Sequence, residues 1–388
     1  MRIRDAAAIV GIGATEFSKE SGRSDLQLAY EATSAALVDC GVKPEDVDGM
    51  VTLSLERTQE ISLARAIGSS DLQFFAQVPH GGGGACGTIL LAALAIASHQ
   101  ANVVLCYRAL NQRSARRTGV SPYPATPVQS GADFDYYTGF GLIRPATKAA
   151  LIARRYMYDH GATSRDFGQV AVLERRYAAL NPAAWYYGRP ITLEDHQNSA
   201  WVSEPLRVLD CCQESDGAVA LVLTSVDRAQ GLHQPPAVIR AAAQAAARDQ
   251  EELTTYYGAA ISRLTEVELL GAQLWAIADL VPADISVANL YDHFTPFVLM
   301  QLEALGFCPL GNAPDFVRSG ALEIGGSLPL NTNGGQLGEG YVQGFNGLAE
   351  AVRQLRGTAV NQVRDPRFAL VTSGSGIPTS GVILSSGA

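Results

Sequence analysis

The chain has 388 residues, a net charge of −9 and a calculated pI near 5.2, with 47% hydrophobic and 17% charged residues. That apolar content excludes a disordered chain, and the acidic balance argues against a polyanion-binding surface, so nucleic acid is not an expected partner. No run reaches about 18 apolar residues, which argues against a membrane span.

MRIRDAAAIVGIG enters a strand-like run at once and lacks the apolar segment and cleavage site of a signal peptide. The cysteines stand at 40, 86, 106, 211, 212 and 308 without CxxC spacing, so neither a zinc ribbon nor a disulfide framework is indicated. A reduced, cytoplasmic protein is expected. Arg113–Arg117 (RSARR) is a local basic run whose default reading is a solvated face.

In chain order, Ala6–Gly11 reads as a buried strand, and Ser24 caps a helix over Leu26–Cys40 that stops at Gly41. Pro44–Asp48 is a turn and Met50–Leu55 a second strand. Ser69–Val78 leads to the loop Pro79–Gly84 (PHGGGG), which opens a helix over Ala85–Ala97, and Val103–Tyr107 is the next strand. From about 110 to 206 the texture turns to Pro, Gly, Tyr and Arg around a helix at Ala146–Tyr158. An excursion of that length suits a cover over an apolar ligand, or an oligomer contact. The core resumes at Leu209–Ser225, with DCCQESDGA running into a strand.

The second half repeats the first. A helix over Arg263–Leu280 precedes a strand over Ile285–Tyr291, and Pro44, Asp46 and Val47 fall on Pro282, Asp284 and Ile285. Each half carries a Gly-rich loop opening a helix and closes on strand-like runs, Val219–Thr224 and Phe368–Thr372. The expected fold is α/β and duplicated, with halves at 1–235 and 236–388 and the 110–206 insertion in the first. Ligands in such sheets bind beyond the carboxyl ends of the strands, which gathers Gly84, Tyr291 and Tyr341. The second loop, Asn331–Leu348, holds six glycines around Tyr341 and runs into a helical stretch over Ala349–Leu355. Glycine there lets backbone approach a ligand closely.

VGIGATEFSKESGRSDLQLA, RALNQRS, LDCCQESDGAVA and GGQLGEGYVQGFNGL resemble the thiolase superfamily over essentially the whole chain. The similarity is to its lipid-transfer/sterol-carrier branch, and within that to the bacterial steroid side-chain aldolases. The resemblance implies cleavage of a 17-hydroxy steroid side-chain acyl-CoA to a 17-keto steroid and propionyl-CoA. It also implies a fold layered α-β-α-β-α and a homodimeric core, paired across a two-fold axis through a first-half edge strand around Val103–Tyr107. That core is implied to work with a small OB-fold, zinc-ribbon, acyl-CoA-binding partner, as an α2β2 assembly. No cofactor or metal is expected in this chain, since the CoA thioester belongs to the substrate and zinc to the partner. Laid on the thiolase pattern, the nucleophilic cysteine falls near Gly82 or Gly83, while the two histidines fall on Tyr291 and Tyr341. Cys86 lies further on, inside the helix, where packing is its simplest role.

A retro-aldol step needs a base for the β-hydroxyl and a hold on the leaving enolate, and it needs no acyl-enzyme. Tyrosine's ordinary pKa of about 10 is nearer an alcohol's than histidine's, so a phenol whose neighbours lower its pKa suits the base role. Tyr341 is the candidate base, with Tyr291 the second acid/base or orienting group. Backbone amides of the Gly-rich loops, with Gly83, Gly84 and Gly335 among them, are candidates to hold the enolate oxygen. A Schiff base is poorly served, since Lys19 and Lys43 sit in polar turns at normal pKa and Lys148 begins a helix. His80 is a candidate ligand contact. His293 either orients Tyr291 or packs, Asn333 bonds either the loop or the thioester, and Asp216 is a turn residue rather than an acid. The alternatives are a degenerate thiolase acting through Cys86, and a non-catalytic acyl-CoA-binding subunit.

Overall fold

The computed structural model describes residues 3–114, 139–142, 144–248, 250 and 260–387. Most of RSARR and of the aromatic stretch 121–141 lies outside them.

Among the described residues nine strands form one mixed sheet: β1 (Ala7–Ala14), β2 (Gly49–Leu53), β3 (Phe74–Val78), β4 (Val103–Asn111), β5 (Asp216–Ser225), β6 (Ala237–Ala245), β7 (Val287–Asn289), β8 (Phe368–Ser373) and β9 (Thr379–Ser386). Their spatial order is β3-β2-β4-β5-β1-β6-β9-β8-β7. The order is symmetric about the β1–β6 seam, which is only two pairs long, Ala8↔Val238 and Ile9↔Ala237. On each side an antiparallel pair (β1–β5, β6–β9) leads to a second (β5–β4, β9–β8) and then to a parallel one (β4–β2, β8–β7). The parallel β2–β3 pair has its counterpart in a lone parallel bridge, Ala288↔Leu330. This is the duplicated architecture, with the two halves of the sheet continuous rather than separate.

The halves close over a middle layer of two helices, Ala85–Ala97 and Phe345–Arg356, each launched from a Gly-rich loop. Ala92, Ile89, Leu348 and Val352 bury there against Leu53, Leu221, Val371 and Val382, one core shared by both halves. Outside the first half lies Asp25–Cys40, capped by the Ser24 side chain at Gln27 N–H and ended by Gly41 at φ 72°. Outside the second lie Thr265–Ala278, Thr295–Ala304 and the insertion helices Pro145–His160 and Ser164–Leu180. Those insertion helices are part of the core, with Tyr156 and Phe167 fully buried.

Three expectations change. Val103–Tyr107 is not an edge strand: β4 is buried and paired on both sides, and among the described residues the first half's open edge belongs to β3, where Phe75 is 62% exposed. The strand expected over Ile285–Tyr291 ends at Asn289, so Tyr291 and His293 do not alternate on one strand face. The helix expected from Ala349 starts at Phe345, directly after Gly344 at φ 92°. The alanine-rich β6, AVIRAAAQA, gives no strand signal because alanine favours helices, yet small side chains are what a strand lying between β1 and β9 requires.

Candidate functional site

Tyr291 leaves the end of β7 with its backbone fixed on both sides. Its N–H donates to Thr372 Oγ1 at 3.0 Å and its carbonyl accepts from Gln301 Nε2 at 2.8 Å. Tyr341 comes from the opposite loop, its N–H donating to Ser215 Oγ at 3.2 Å. The two hydroxyls meet at 3.4 Å. The pair rests on the first-half loop: a Cβ at Gly82 would strike the Tyr291 hydroxyl and stand 2.7 Å from its Cζ. A side chain at position 82 and the phenol of Tyr291 therefore exclude each other.

Burial pushes the Tyr341 phenol up to about 12, opposed by Tyr291, Arg108 and Gln343, all of which favour its ionised form. Tyr291 is raised further, by burial first and then by Tyr341. This reverses the expectation of a lowered phenol. Desolvation outweighs the neighbours, and both hydroxyls are neutral at pH 7. Arg108 reaches the site from β4, its Nε donating to Gln343 Oε1 at 2.6 Å and its Nη1 pairing with Glu56 Oε2 at 2.9 Å, both side chains nearly fully buried. Gln343 takes φ 54° to complete this contact.

Cys212 interacts electrostatically with both phenols, and its N–H donates to the His293 carbonyl at 2.9 Å. Its thiol is raised well above the ordinary value by burial. Cys86 is elsewhere: it is fully buried, its N–H donates to Ser373 Oγ at 2.8 Å, and burial raises its thiol to about 12. That matches the packing role. Lys19 departs from its expectation. Burial, aided by Arg113, lowers its ammonium to about 8, and Nζ donates to Gln213 Oε1 at 2.7 Å and the Glu214 carbonyl at 2.6 Å, so it braces the segment that carries Cys212.

The remaining candidates scatter. The His293 ring stacks on Phe297 at 4.7 Å and lies 5.0 Å from the Tyr291 ring, and burial lowers it to about 3; it buttresses the ring and is neutral. His80 is exposed at φ 68°, its carbonyl accepting from Gly83 N–H at 3.0 Å. Gly83 backs onto the Pro378 carbonyl, and a Cβ at Gly84 would meet Leu53 at 2.9 Å, so of the four glycines it is Gly82 that faces the phenols. Asn333 serves its loop: its Nδ2 donates to Glu339 and its Oδ1 accepts from Gly335 N–H at 3.1 Å. Asp216 accepts from the amides of Ser21, Arg113 and Ser114, a turn anchor as expected.

Beneath the Tyr341 loop lies a set of buried carboxyls. Gly335, at φ 60°, packs on the carboxyls of Glu174 and Asp292. Asp292 Oδ2 accepts from Leu337 N–H at 2.9 Å, and its neighbourhood joins burial in raising Glu174 well above the usual range. Glu339, held by Asn333 and Asn346, is raised by burial to about 7. The helix Ser164–Leu180 supports this layer from outside, and Gly338 admits it: a Cβ there would fall 2.6 Å from Ala178 Cβ.

Sequence reasoning missed Cys212, Arg108 with Glu56, and the Glu174–Asp292 pair. The CC doublet beside the acidic turn was a visible signal for the first. The other two join residues 52 and 118 positions apart and had none.

The Thiolase C-terminal domain-like family matches residues 254–385. A protein of Thermomonospora curvata described as "Steroid side-chain-cleaving aldolase" is 57% identical over 382 residues, covering 98% of this chain and 97% of that one. A protein of Mycobacterium tuberculosis described as "17-hydroxy-3-oxo-4-pregnene-20-carboxyl-CoA lyase" is 56% identical over 380 residues, covering 97% and 98%. The solved structure titled "Ltp2-ChsH2(DUF35) aldolase" superposes with a TM-score of 0.95 at 56% identity, over 100% of this chain and 99% of that one.

Proposed function

The chain belongs to the thiolase superfamily, among the steroid side-chain-cleaving aldolases, and from that premise we propose that it cleaves a 17-hydroxy steroid side-chain acyl-CoA to a 17-keto steroid and propionyl-CoA by a retro-aldol reaction. The observation that carries this reading is the phenol pair at 3.4 Å with Gly82 beneath it. Where a thiolase holds a nucleophilic side chain, the backbone here makes room for the Tyr291 hydroxyl. Cys86 is buried in its helix, with its sulfur on the Val371 carbonyl at 3.6 Å. Chemistry at such a site proceeds without an acyl-enzyme.

Both phenols are neutral, so they work as a relay. In one concerted shift Tyr341 accepts the proton of the 17-hydroxyl and gives its own to Tyr291 as the Tyr291 proton leaves for the substrate, so neither phenol holds two protons. The electrons of that O–H bond form the ketone, and the bond from the carbinol carbon to the carbon α to the thioester breaks. Tyr291 delivers its proton to that α-carbon, completing propionyl-CoA. One proton enters the pair and one leaves it, so both phenols end the turnover neutral. Arg108 and Gln343, which favour a negative Tyr341, stabilise the partial negative charge on its oxygen as its own proton departs ahead of the substrate's arrival.

The chain needs no resident cofactor in this reading. By analogy with the DUF35-bearing neighbour, the partner is a DUF35 protein, built as an OB-fold with a zinc ribbon, that binds the acyl-CoA. The core is a homodimer through the open edge of β3, within an α2β2 assembly. Among the described residues no helix is long and apolar enough to cross a membrane, and the six cysteines are unpaired, which suits the cytoplasm.

The test is incubation with a 17-hydroxy steroid acyl-CoA, with and without the DUF35 partner, followed by mass spectrometry. The 17-ketone and propionyl-CoA are expected in equal amounts. Unchanged substrate, or release of free CoA with an acylated product, contradicts the proposal.

A further inference from the structure

The two phenols are carried by two segments, Asn289–Asp292 and Asn331–Gly347, and a cavity of about 10 Å³ lies in the seam between them. Asn289, Asp292, Gln336 and Asn346 line it, with Tyr291 itself and Gly344. Its polar groups are unusual. Asn289, Gln336 and Asn346 are 3%, 2% and 2% exposed. Among the described residues, Asn289 Nδ2, Asn289 Oδ1, Gln336 Oε1 and Asn346 Oδ1 have no hydrogen-bond partner. The other ends of two of these side chains are engaged: Gln336 Nε2 donates to Asp292 Oδ1 at 3.2 Å, and Asn346 Nδ2 donates to Glu339 Oε2 at 3.1 Å and the Gly340 carbonyl at 3.2 Å. Three amide side chains that line one small space thus leave one donor and three acceptors unpaired there.

Buried polar atoms are almost always paired, and leaving several unpaired at one point is costly. Their composition identifies the group that would satisfy them. A cation could take the three oxygens but would oppose the Asn289 Nδ2 donor. An anion could take the donor but would face three oxygens and the nearby Asp292 carboxylate. Water accepts from Nδ2 and donates to two of the oxygens, and the volume suits one molecule. We propose that this seam is a built site for a single buried water, which joins the Tyr291 segment to the Tyr341 loop and sets the distance between the two phenols. Asn289 is a positioning residue in this account, because it lines the seam and both of its side-chain polar atoms are otherwise unpaired. The positioning role rests on the phenol-pair reading above; the water site does not.

Asn289→Leu tests it, because a dry cavity and a hydrated one predict opposite results. If the seam holds water, leucine removes a ligand and breaks the joint. Tm falls, kcat falls at least about tenfold, and KM stays within about threefold. Asn289→Ser, whose hydroxyl both donates and accepts, recovers most of kcat. If the seam is dry, leucine replaces two unpaired polar atoms with packed carbon, so a raised Tm with unchanged kcat overturns the proposal. Should Asn289→Leu not fold, a crystal structure of the wild-type protein at about 1.5 Å resolution decides. A water-sized peak within hydrogen-bond distance of Asn289 and at least one of Gln336 and Asn346 supports the site. No peak there, or an anomalous signal after a thallium soak, overturns it. A wild-type protein that cleaves no steroid acyl-CoA would defeat the functional reading, while the Tm and density results still judge the water.

Discussion

Gly82→Ala is the most informative substitution, because it adds one carbon at the point where the two halves of the site touch. The new Cβ would stand 2.7 Å from Tyr291 Cζ and closer still to the hydroxyl. Carbon atoms pack at about 3.5–4.0 Å, so the ring must retreat by roughly 1 Å. It has little room to do so. A Cβ built on Gly344 behind it would already lie 3.3 Å from Tyr291 Cδ2, and the His293 ring flanks it at 5.0 Å. The hydroxyl separation, 3.4 Å now, would pass out of hydrogen-bond range. Overpacking of this kind costs about 1–3 kcal/mol, so Tm should fall by a few degrees with the fold intact. A misplacement of about 1 Å in reacting groups costs on the order of 100-fold in rate. The assay is steady-state cleavage of the 17-hydroxy steroid acyl-CoA, with kcat expected down about 100-fold and KM within about threefold. In a Tyr291→Phe background the same change should cost little further kcat, since the relay is already broken. A Gly82→Ala enzyme within about threefold of the parent kcat refutes the claim that the position of the Tyr291 hydroxyl matters.

Cys86→Ala should leave kcat within about threefold, measured in the same assay; a loss beyond about 100-fold would restore a covalent thiolase route. Phe75→Asp, on the open edge of β3, should convert a dimer to a monomer by light scattering, and a dimer that survives it is not built on that edge. Burial raises Glu339, and likewise Glu266 in the helix Thr265–Ala278, where it accepts from Gly376 N–H at 2.7 Å, from the ordinary 4.5 to about 7, so between those values the folded state binds more protons. Stability therefore rises as pH falls through that window, reduced by the opposing cost of keeping His293 neutral below its ordinary 6.5. The rise ends when pH drops below the ordinary 3.8 of Asp216, whose lowered carboxyl then loses its stabilising contribution as it protonates. Tm by calorimetry should be higher at pH 5.5 than at pH 7.5, and the reverse order would show that these carboxyls are not held neutral.

The duplication was legible because its signals are local: a proline-turn-strand unit written twice, and a glycine run before each middle-layer helix. Ala85–Ala97 begins and ends where the sequence places it. Tyr341 was legible as a large side chain alone among small ones. What could not be read was facing. Nothing in HGGGG distinguishes Gly82 from Gly83 or Gly84, because which one meets a phenol depends on a loop more than 200 residues away. The edge of the sheet was misplaced for a related reason: Val103–Tyr107 looks like any apolar strand, and only the pairing of β4 with both β2 and β5 shows it to be internal. The phenols' acidity was misjudged because the sequence displays charges such as Arg108 but not burial, and burial is the larger influence here.

The central claim is that a phenol, and not a thiol, carries the chemistry, and Tyr341→Phe tests it most directly. The substitution removes one hydroxyl and keeps the ring that packs in the loop. Loss of general acid–base catalysis costs on the order of 100- to 10,000-fold. With a thermal melt to confirm the fold, kcat for cleavage should fall into that range. A kcat within about threefold of the parent would take Tyr341 out of the mechanism.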